Sequence, residues 1–348
     1  MKQIYLLLLF TISTIHVFSA DYFWVNNSGN WSDYNNHWAT ATGGSVFHGS
    51  APSSSDNVIF DQNSFSSSSN ILLIDIDANC RSFIFNNNRT PEISSPHDSI
   101  RLIINGDLTL NYLFNFSYYG ELIFNGTSNI KSTSNALYSR IKFNSPGGSF
   151  TLLDDFNSTD SVKFVAGDFY TQNNICRFNF IEDDDYGIRN LYFGSSDVFV
   201  TGGINGLNFS PQEQFHADSS RFIFNNASYL MAHYKSFNVI EINSPEMTLL
   251  VDDGDVDSIL IKSKCILICR TGIGNYIALE GDLSDTLIIN LDYYSVDKID
   301  GRSDSSDFVQ FQYGDGDVFI NELFSSSNIE MIRNSQFYCT IDITRQFV

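Results

Sequence analysis

The sequence predicts an all-β protein, a single-stranded right-handed parallel β-helix with a Trp-rich N-terminal cap. A short phrase of alternating apolar residues, often closed by Asn, returns about every twenty residues, which is typical of a solenoid. Its first four copies begin at Phe83, Leu102, Leu122 and Ile141, which are 19, 20 and 19 residues apart. Turns rich in Gly, Asn and Asp separate the copies, and no helical periodicity of useful length follows residue 19.

Residues 1–19 are predicted to be a secretory signal peptide. Lys2 is the lone charge, an apolar run follows at Ile4–Phe10, and Val17 and Ser19 fit the small-residue rule for a cleavage site. The apolar run is too short to span a membrane, and no second long apolar segment follows. We therefore expect a secreted or cell-surface protein without a membrane span.

Residues 20–61 differ from the rest of the chain and are predicted to cap the solenoid. They hold all three tryptophans, Trp24, Trp31 and Trp38. An open solenoid end exposes unpaired strand edges that invite aggregation, so a cap is expected there. The alternative interpretation is an aromatic platform that stacks on sugars.

A resemblance to a known class of proteins is carried by the phrase W-V-x-x-x-G-N-W-S-D at residues 24–33, followed by Pro52-x-x-x-Asp56-Asn57-Val58. It resembles the start of large secreted, adhesin-like β-helix proteins of Bacteroidetes, in which two glycines stand where this chain has Asn26 and Asn27. The second phrase is also loosely similar to G8-type extracellular domains. The resemblance implies secretion and a surface location, and it implies no catalytic residues.

Residues 62–348 are predicted to form the β-helix itself, in coils of about twenty residues with two or three strands each. Many coils continue past the phrase through a Gly-Asp turn into another alternating strand, as at Gly106–Leu110 and Gly167–Thr171. The Asn that closes the phrase tolerates a left-handed backbone and hydrogen-bonds its neighbours. Equivalent Asn side chains in stacked coils are therefore predicted to form a structural ladder at a coil corner.

The chain is strongly acidic, with 40 acidic and 19 basic residues and a formal net charge of -21. Nucleic-acid binding and adsorption to an anionic membrane both need basic patches, so both are disfavoured. The cysteines are odd in number and irregularly spaced, which argues against a disulfide framework. Most of them are expected to be buried thiols; they are Cys80, Cys176, Cys265, Cys269 and Cys339.

No catalytic residue is predicted. Chains that resemble polygalacturonases carry Asn-Thr-Asp, Asp-Asp, Gly-His-Gly and Arg-Ile-Lys in that order. Here Arg140-Ile141-Lys142 precedes any candidate for the others, and Gly-His-Gly is absent. Ile141 is expected to face inward and Lys142 outward. Adjacent acids such as Asp154 and Asp155 could supply paired carboxylates, so a polysaccharide-active lyase or glycoside hydrolase is the alternative.

Two oxygen-rich turns are candidate calcium sites, because Ca²⁺ binds carboxylate and carbonyl oxygens of flexible turns. The candidate ligands are Asp252, Asp253, Asp255, Asp257, Asp315 and Asp317. Solvated turns are the alternative, and no other cofactor is predicted.

Two tyrosine pairs near predicted coil corners are candidates for stacking on sugars, and ordinary corner packing is the alternative. They are Tyr118, Tyr119, Tyr293 and Tyr294. Three intervals between phrases are longer than the others, at residues 164–193, 193–224 and 261–289. Loops on a solenoid face are where binding usually occurs.

The leading functional hypothesis is a non-catalytic, adhesin-like extracellular protein that offers a long face to a polysaccharide or a surface protein. A purely structural rod is a further alternative, because strand-like alternation continues at Ile341-x-Ile343 and no C-terminal cap is visible. In that case a second chain could associate end to end through the C-terminal rung.

Overall fold

The computed structural model describes residues 19–339, apart from 113, 115, 184–186, 208–213, 228, 246, 264, 280–285, 302–307, 314–317, 326–327 and 333–336. Over this range the chain is an all-β solenoid of about ten turns with parallel strands, which confirms the predicted architecture. None of its described helices is long and apolar enough to cross a membrane. The predicted signal peptide and the predicted end-to-end contact beyond Cys339 lie outside the described residues.

The N-terminal segment begins the solenoid rather than preceding it. Its elements are β1 (Asp21–Trp24), β2 (Gly29–Asn30), α1 (Tyr34–His37), β3 (Trp38–Ala39) and β4 (Asn57–Phe60). Strand β1 pairs antiparallel with β3 and parallel with β4, and β4 is the neighbour on which the following coil stacks. The predicted cap and the first coil therefore share a sheet.

The three tryptophans lie in the core at this end. Each is at most 1% exposed, and Trp38 meets both Trp24 and Trp31 edge to face at 4.9 Å between ring centroids. The indole N–H of Trp38 donates to the carbonyl oxygen of Trp31 at 2.9 Å. The alternative interpretation of these rings as an exposed sugar-stacking platform is therefore wrong, because burial leaves no ring face for a ligand.

The next coils have three walls. Their strands are β5 (Ile71–Leu73), β6 (Ala78–Cys80), β7 (Phe83–Phe85), β8 (Glu92–Ser94), β9 (Arg101–Ile104), β10 (Leu108–Thr109), β11 (Glu121–Phe124), β12 (Ser128–Lys131), β13 (Ala136–Leu137), β14 (Arg140–Leu152), β15 (Phe156–Tyr170), β16 (Cys176–Asp183), β17 (Arg189–Tyr192), β18 (Asp197–Leu207) and β19 (Gln214–His216). Long strands turn corners: β14 belongs to two walls, and β15 turns two corners and belongs to all three. We call residues 57–216 the three-sided region.

The walls are named by inward residues that stack in register. Face A is the wall that contains Leu102, Leu122 and Ile141. Face B contains Phe83, Leu108 and Ile130. Face C contains Phe156, Cys176 and Val198.

The remaining coils have two walls. Their strands are β20 (Arg221–Phe224), β21 (Tyr229–His233), β22 (Phe237–Ile242), β23 (Met247–Asp252), β24 (Val256–Ile261), β25 (Cys265–Leu279), β26 (Thr286–Gly301), β27 (Phe308–Tyr313), β28 (Val318–Ser325), β29 (Asn328–Ile332) and β30 (Phe337–Cys339). They alternate between faces A and C, and no described strand continues face B beyond β19. In its place are turns such as residues 234–236 and 253–255. Three residues reach only about 10 Å, which connects two sheets but leaves no room for a third wall. We call residues 221–339 the two-sided region.

Copies of the repeated phrase form strands, but these strands lie on different walls of the coil. Leu102 and Leu122 stack on face A, whereas Phe83 lies on face B and Phe222 on face C. The repeat of about twenty residues survives this change because every wall has the same alternation of inward and outward side chains.

The predicted Asn ladder is present at two places. In the three-sided region Asn125 Nδ2 donates to Asn105 Oδ1 at 3.4 Å, and Asn105 Nδ2 donates in turn to Asn79 Oδ1, outside the phrase, at 2.6 Å. Asn243 Nδ2 donates to Asn225 Oδ1 at 3.0 Å where the two-sided region begins. These side chains tie neighbouring coils together at a corner.

Three cysteines, Cys80, Cys176 and Cys265, are free and buried, as predicted. Burial raises the pKa of each thiol, for Cys265 to about 12. The side chains of Cys269 and Cys339 lie outside the described part.

The triplet at residues 140–142 is a structural rung, as expected. Ile141 is buried and Lys142 faces outward, where its Nζ lies 2.6 Å from Glu121 Oε1.

Candidate functional site

Outward-facing residues of face C form two rows that cross successive coils. Side chains of a strand alternate between its two sides, so every second residue faces outward. The first row consists of Asn157, Arg177 and Phe199, which are direct neighbours in register. The second row lies two residues further along each strand and consists of Thr159, Asn179, Thr201 and Asn225.

The two rows border a groove of about 430 Å³, which is lined by these seven residues together with Ser158 and Phe178. We call it the face C groove. Its volume lies within the usual range of ligand sites. Asn179 Nδ2 donates to the carbonyl oxygen of Thr159, and Thr201 Oγ1 donates to Asn179 Oδ1, both at 3.2 Å. These bonds between coils hold the second row in position.

The first row contains a cation over an aromatic ring. The guanidinium carbon of Arg177 lies 5.3 Å from the ring centroid of Phe199, which is within cation–π range. Arg177 is exposed and Phe199 is half-buried. The pair therefore presents both a positive charge and an apolar ring to the groove.

One end of the groove lies next to a network of charged side chains that pair with one another, which we call the closed network. Asn243, which donates to Asn225 of the groove, also donates to Glu241 Oε1 at 3.0 Å. Glu241 pairs with Lys262 at 3.1 Å and with Arg221 at 3.6 Å. Burial raises the pKa of Glu241, but hydrogen bonds from Asn243 and Lys262 outweigh it and hold the pKa below its usual range. The charge of Glu241 is thus engaged within the protein.

The face C groove offers amide and hydroxyl groups, one aromatic ring and one guanidinium. Among its nine described lining residues there is no carboxylate or imidazole to act as general acid or base. This set of groups is suited to holding a polar ligand.

Comparison of the chain with protein-family models, curated proteins and solved structures finds no match. The groove is therefore interpreted from its own chemistry. The resemblance of the N-terminal segment to adhesin-like proteins stays a prediction.

The first predicted calcium turn does not gather its carboxylates. Asp255 Oδ1 accepts a hydrogen bond from the backbone N–H of Ile273 at 2.9 Å. Asp257 Oδ1 accepts one from Asn275 Nδ2 at 3.0 Å. Both acids therefore bind the next coil rather than point towards a common centre.

Asp252 and Asp253 do not form a cluster with these two acids either. Asp252 is half-buried at the end of β23, and Asp253 is exposed with a left-handed φ of 52°. Asp315 and Asp317 lie outside the described residues. Over the described ranges, no three His, Cys, Asp or Glu side chains converge so as to hold a metal ion.

The predicted tyrosine sites separate into different environments. Tyr118 is fully buried, and its hydroxyl donates to the carbonyl oxygen of Ile100 at 2.6 Å. Burial raises its pKa, and it cannot stack on a ligand, so the prediction is wrong for this residue. Tyr119 is 61% exposed beside Tyr138, with ring centroids 5.7 Å apart. The backbones of Tyr293 and Tyr294 lie in β26, and their side chains lie outside the described part.

Sequence reasoning singled out none of the groove residues. The available signal was the pair of long intervals at residues 164–193 and 193–224, which contain Arg177, Asn179, Phe199 and Thr201. Binding was expected in such intervals, but which of their residues face outward together depends on register between coils.

Proposed function

We propose that this protein is a non-catalytic, adhesin-like protein of the cell exterior that binds an extended polysaccharide along the face C groove. The observation that carries the proposal is the pair of polar rows that repeat from coil to coil. Coils are about 4.8 Å apart, which is similar to the length of one sugar unit. A glycan laid along the solenoid axis would present its hydroxyl groups at the same repeat.

The chemistry of the groove supports a glycan over other polymers. Side-chain amides and hydroxyls both donate and accept, which suits sugar hydroxyls. The ring of Phe199 suits the apolar face of a sugar. A net charge of -21 disfavours nucleic acid. The signal-like residues 1–19 support a location outside the cell.

The test uses the purified full chain on a panel of neutral and acidic polysaccharides. Bound protein and newly formed reducing or unsaturated ends are measured together. We expect binding without new ends. Release of new ends from any polymer would overturn the non-catalytic proposal, and absence of binding to the whole panel would overturn glycan recognition.

A pair of variants tests the position of the site. Phe199→Ala is expected to weaken binding about three- to tenfold, because it removes one stacking surface. Tyr119→Ala is the matched control, since it removes an exposed ring outside the groove, and it should leave binding unchanged. The reverse result would move the site out of the face C groove and towards the corner at Tyr119 and Tyr138.

A further inference from the structure

We infer that the glycan bound by the face C groove carries a carboxylate, and that Arg177 binds this carboxylate. The inference rests on the proposed function and names its ligand class. Arg177 occupies the middle of the first row, between Asn157 and Phe199 in register. Its side chain is exposed.

The charge of Arg177 is available to a ligand. Elsewhere on the solenoid Arg221 pairs with Asp197 at 3.2 Å and Lys142 pairs with Glu121 at 2.6 Å. By contrast, no carboxylate in the described part of the chain lies within ion-pair distance of Arg177, whose guanidinium instead lies over the ring of Phe199. With 40 acidic and 19 basic residues in the chain, a groove without an acid among its described lining is a local exception.

The guanidinium is oriented before any ligand arrives. Its central carbon lies over the ring of Phe199, 5.3 Å from the centroid, so the ring restricts where the charged group is held. A guanidinium binds a carboxylate with two parallel hydrogen bonds, which an ammonium cannot do. The amide of Asn157, its register neighbour, has no hydrogen-bond partner among the described residues and adds a donor one coil away.

The charge of the whole chain limits how acidic the glycan is. A net charge of -21 repels a densely charged polyanion, whereas Arg177 compensates a single carboxylate. Further along the groove the side chains of Thr201 and Asn225 are neutral. The class that fits is a heteroglycan in which a single uronic acid residue lies among neutral sugars.

The test uses the full chain and a panel of oligosaccharide pairs. One member of each pair carries one uronic acid among neutral sugars, and the other is the same compound after reduction of its carboxylate to an alcohol. Affinities are measured at about 0.15 M salt, where the Debye length of about 8 Å screens long-range repulsion. We expect at least one acidic member to bind about tenfold more tightly than its reduced form. Arg177→Gln should abolish that preference, and Arg177→Lys should restore only part of it.

The outcomes separate the two proposals. If a reduced member binds as tightly as its acidic partner, the role of Arg177 is wrong while glycan recognition stands. A preference that persists in Arg177→Gln also overturns the inference. If no member of any pair binds, the proposed function itself fails. Hydrogen exchange of β16 in each variant establishes that a loss of binding is not a loss of folding.

Discussion

The three-sided region and the described part of the two-sided region after Phe237 bury different kinds of side chain. In the three-sided region Phe143 lies in a cluster of rings, with centroids between 4.9 and 5.4 Å from those of Phe124, Phe150, Phe164 and Phe169. In the two-sided region the buried hydrophobic residues described beyond Phe237 include no aromatic one. They are aliphatic, Met or Cys, as in Ile240, Met247, Leu249, Ile259, Cys265, Leu267, Ile277 and Ile299.

The number of walls explains this difference. Two packed sheets lie about 10 Å apart, and aliphatic side chains from both fill that space. Three walls enclose a wider interior, whose centre is reached by long, rigid rings. Phe237 marks the transition, because it contacts Phe215 at 5.0 Å and Phe222 at 5.2 Å, just where face B ends.

The same outward row of face C also differs between the regions. In the three-sided region it presents Arg177 and Phe199 to an open groove. In the two-sided region Glu241 occupies this row, and its carboxylate forms ion pairs with Arg221 and Lys262. The same sheet therefore carries an open groove and, beyond Asn225, a row position whose charge is paired within the protein.

The greatest loss of stability is expected from a substitution in the aromatic core. Phe143→Ala should destabilise its coil by about 3–5 kcal/mol, because it leaves a ring-sized cavity. Native-state hydrogen exchange measured coil by coil is the suitable probe, since stability in a solenoid is a sum over neighbours. Phe143→Leu puts an aliphatic side chain into the core of the three-sided region. Ile259→Leu is the matched change in the two-sided region, where its expected cost is below about 1.5 kcal/mol. Equal costs for the two Leu variants would contradict the explanation from wall number.

A smaller effect concerns the turns that replace face B. A Cβ added to Gly254 would overlap the carbonyl oxygen of Lys235 in the previous turn. Gly254→Ala should therefore cost about 1–3 kcal/mol, as overpacking does. Gly147, at a corner of the three-sided region, has a φ of +75° but nothing within 4 Å of an added Cβ. Gly147→Ala should cost only about 1 kcal/mol, from its left-handed backbone. Thermal unfolding compares the two variants, and a costlier Gly147→Ala would show that the turns are not the tighter element.

The smallest effect concerns the closed network of the two-sided region. The pKa of Glu241 is lowered in the folded protein, so its stabilising contribution is complete above the ordinary value of 4.5 and is lost as pH falls through the folded pKa. Glu241→Gln should cost about 1 kcal/mol at pH 7 and remove this part of the acid sensitivity. Denaturant unfolding between pH 7 and pH 3 measures this contribution, by comparing Glu241→Gln with the unchanged protein. An unchanged pH profile in Glu241→Gln would show that other carboxylates dominate acid unfolding.

Much of the architecture was predictable from local pattern. The alternation and its return about every twenty residues predicted stacked parallel strands, and the Asn that closes the phrase predicted the contacts of Asn105 and Asn243. The concentration of tryptophans predicted a cap, but not the burial of Trp24, Trp31 and Trp38 at its centre. Burial of Tyr118 was not predictable either, because a Tyr-Tyr pair at a corner places one ring inward and one outward.

The sequence by itself determined that this chain is a β-solenoid, because inward and outward side chains alternate within each strand whatever wall that strand occupies. The number of walls in each coil, and which outward residues become neighbours, follow from the folded arrangement alone. Both depend on the register between residues some twenty positions apart, which turn length and core packing set together. For this reason Arg177 and Phe199 form one site although nothing in their local sequence connects them.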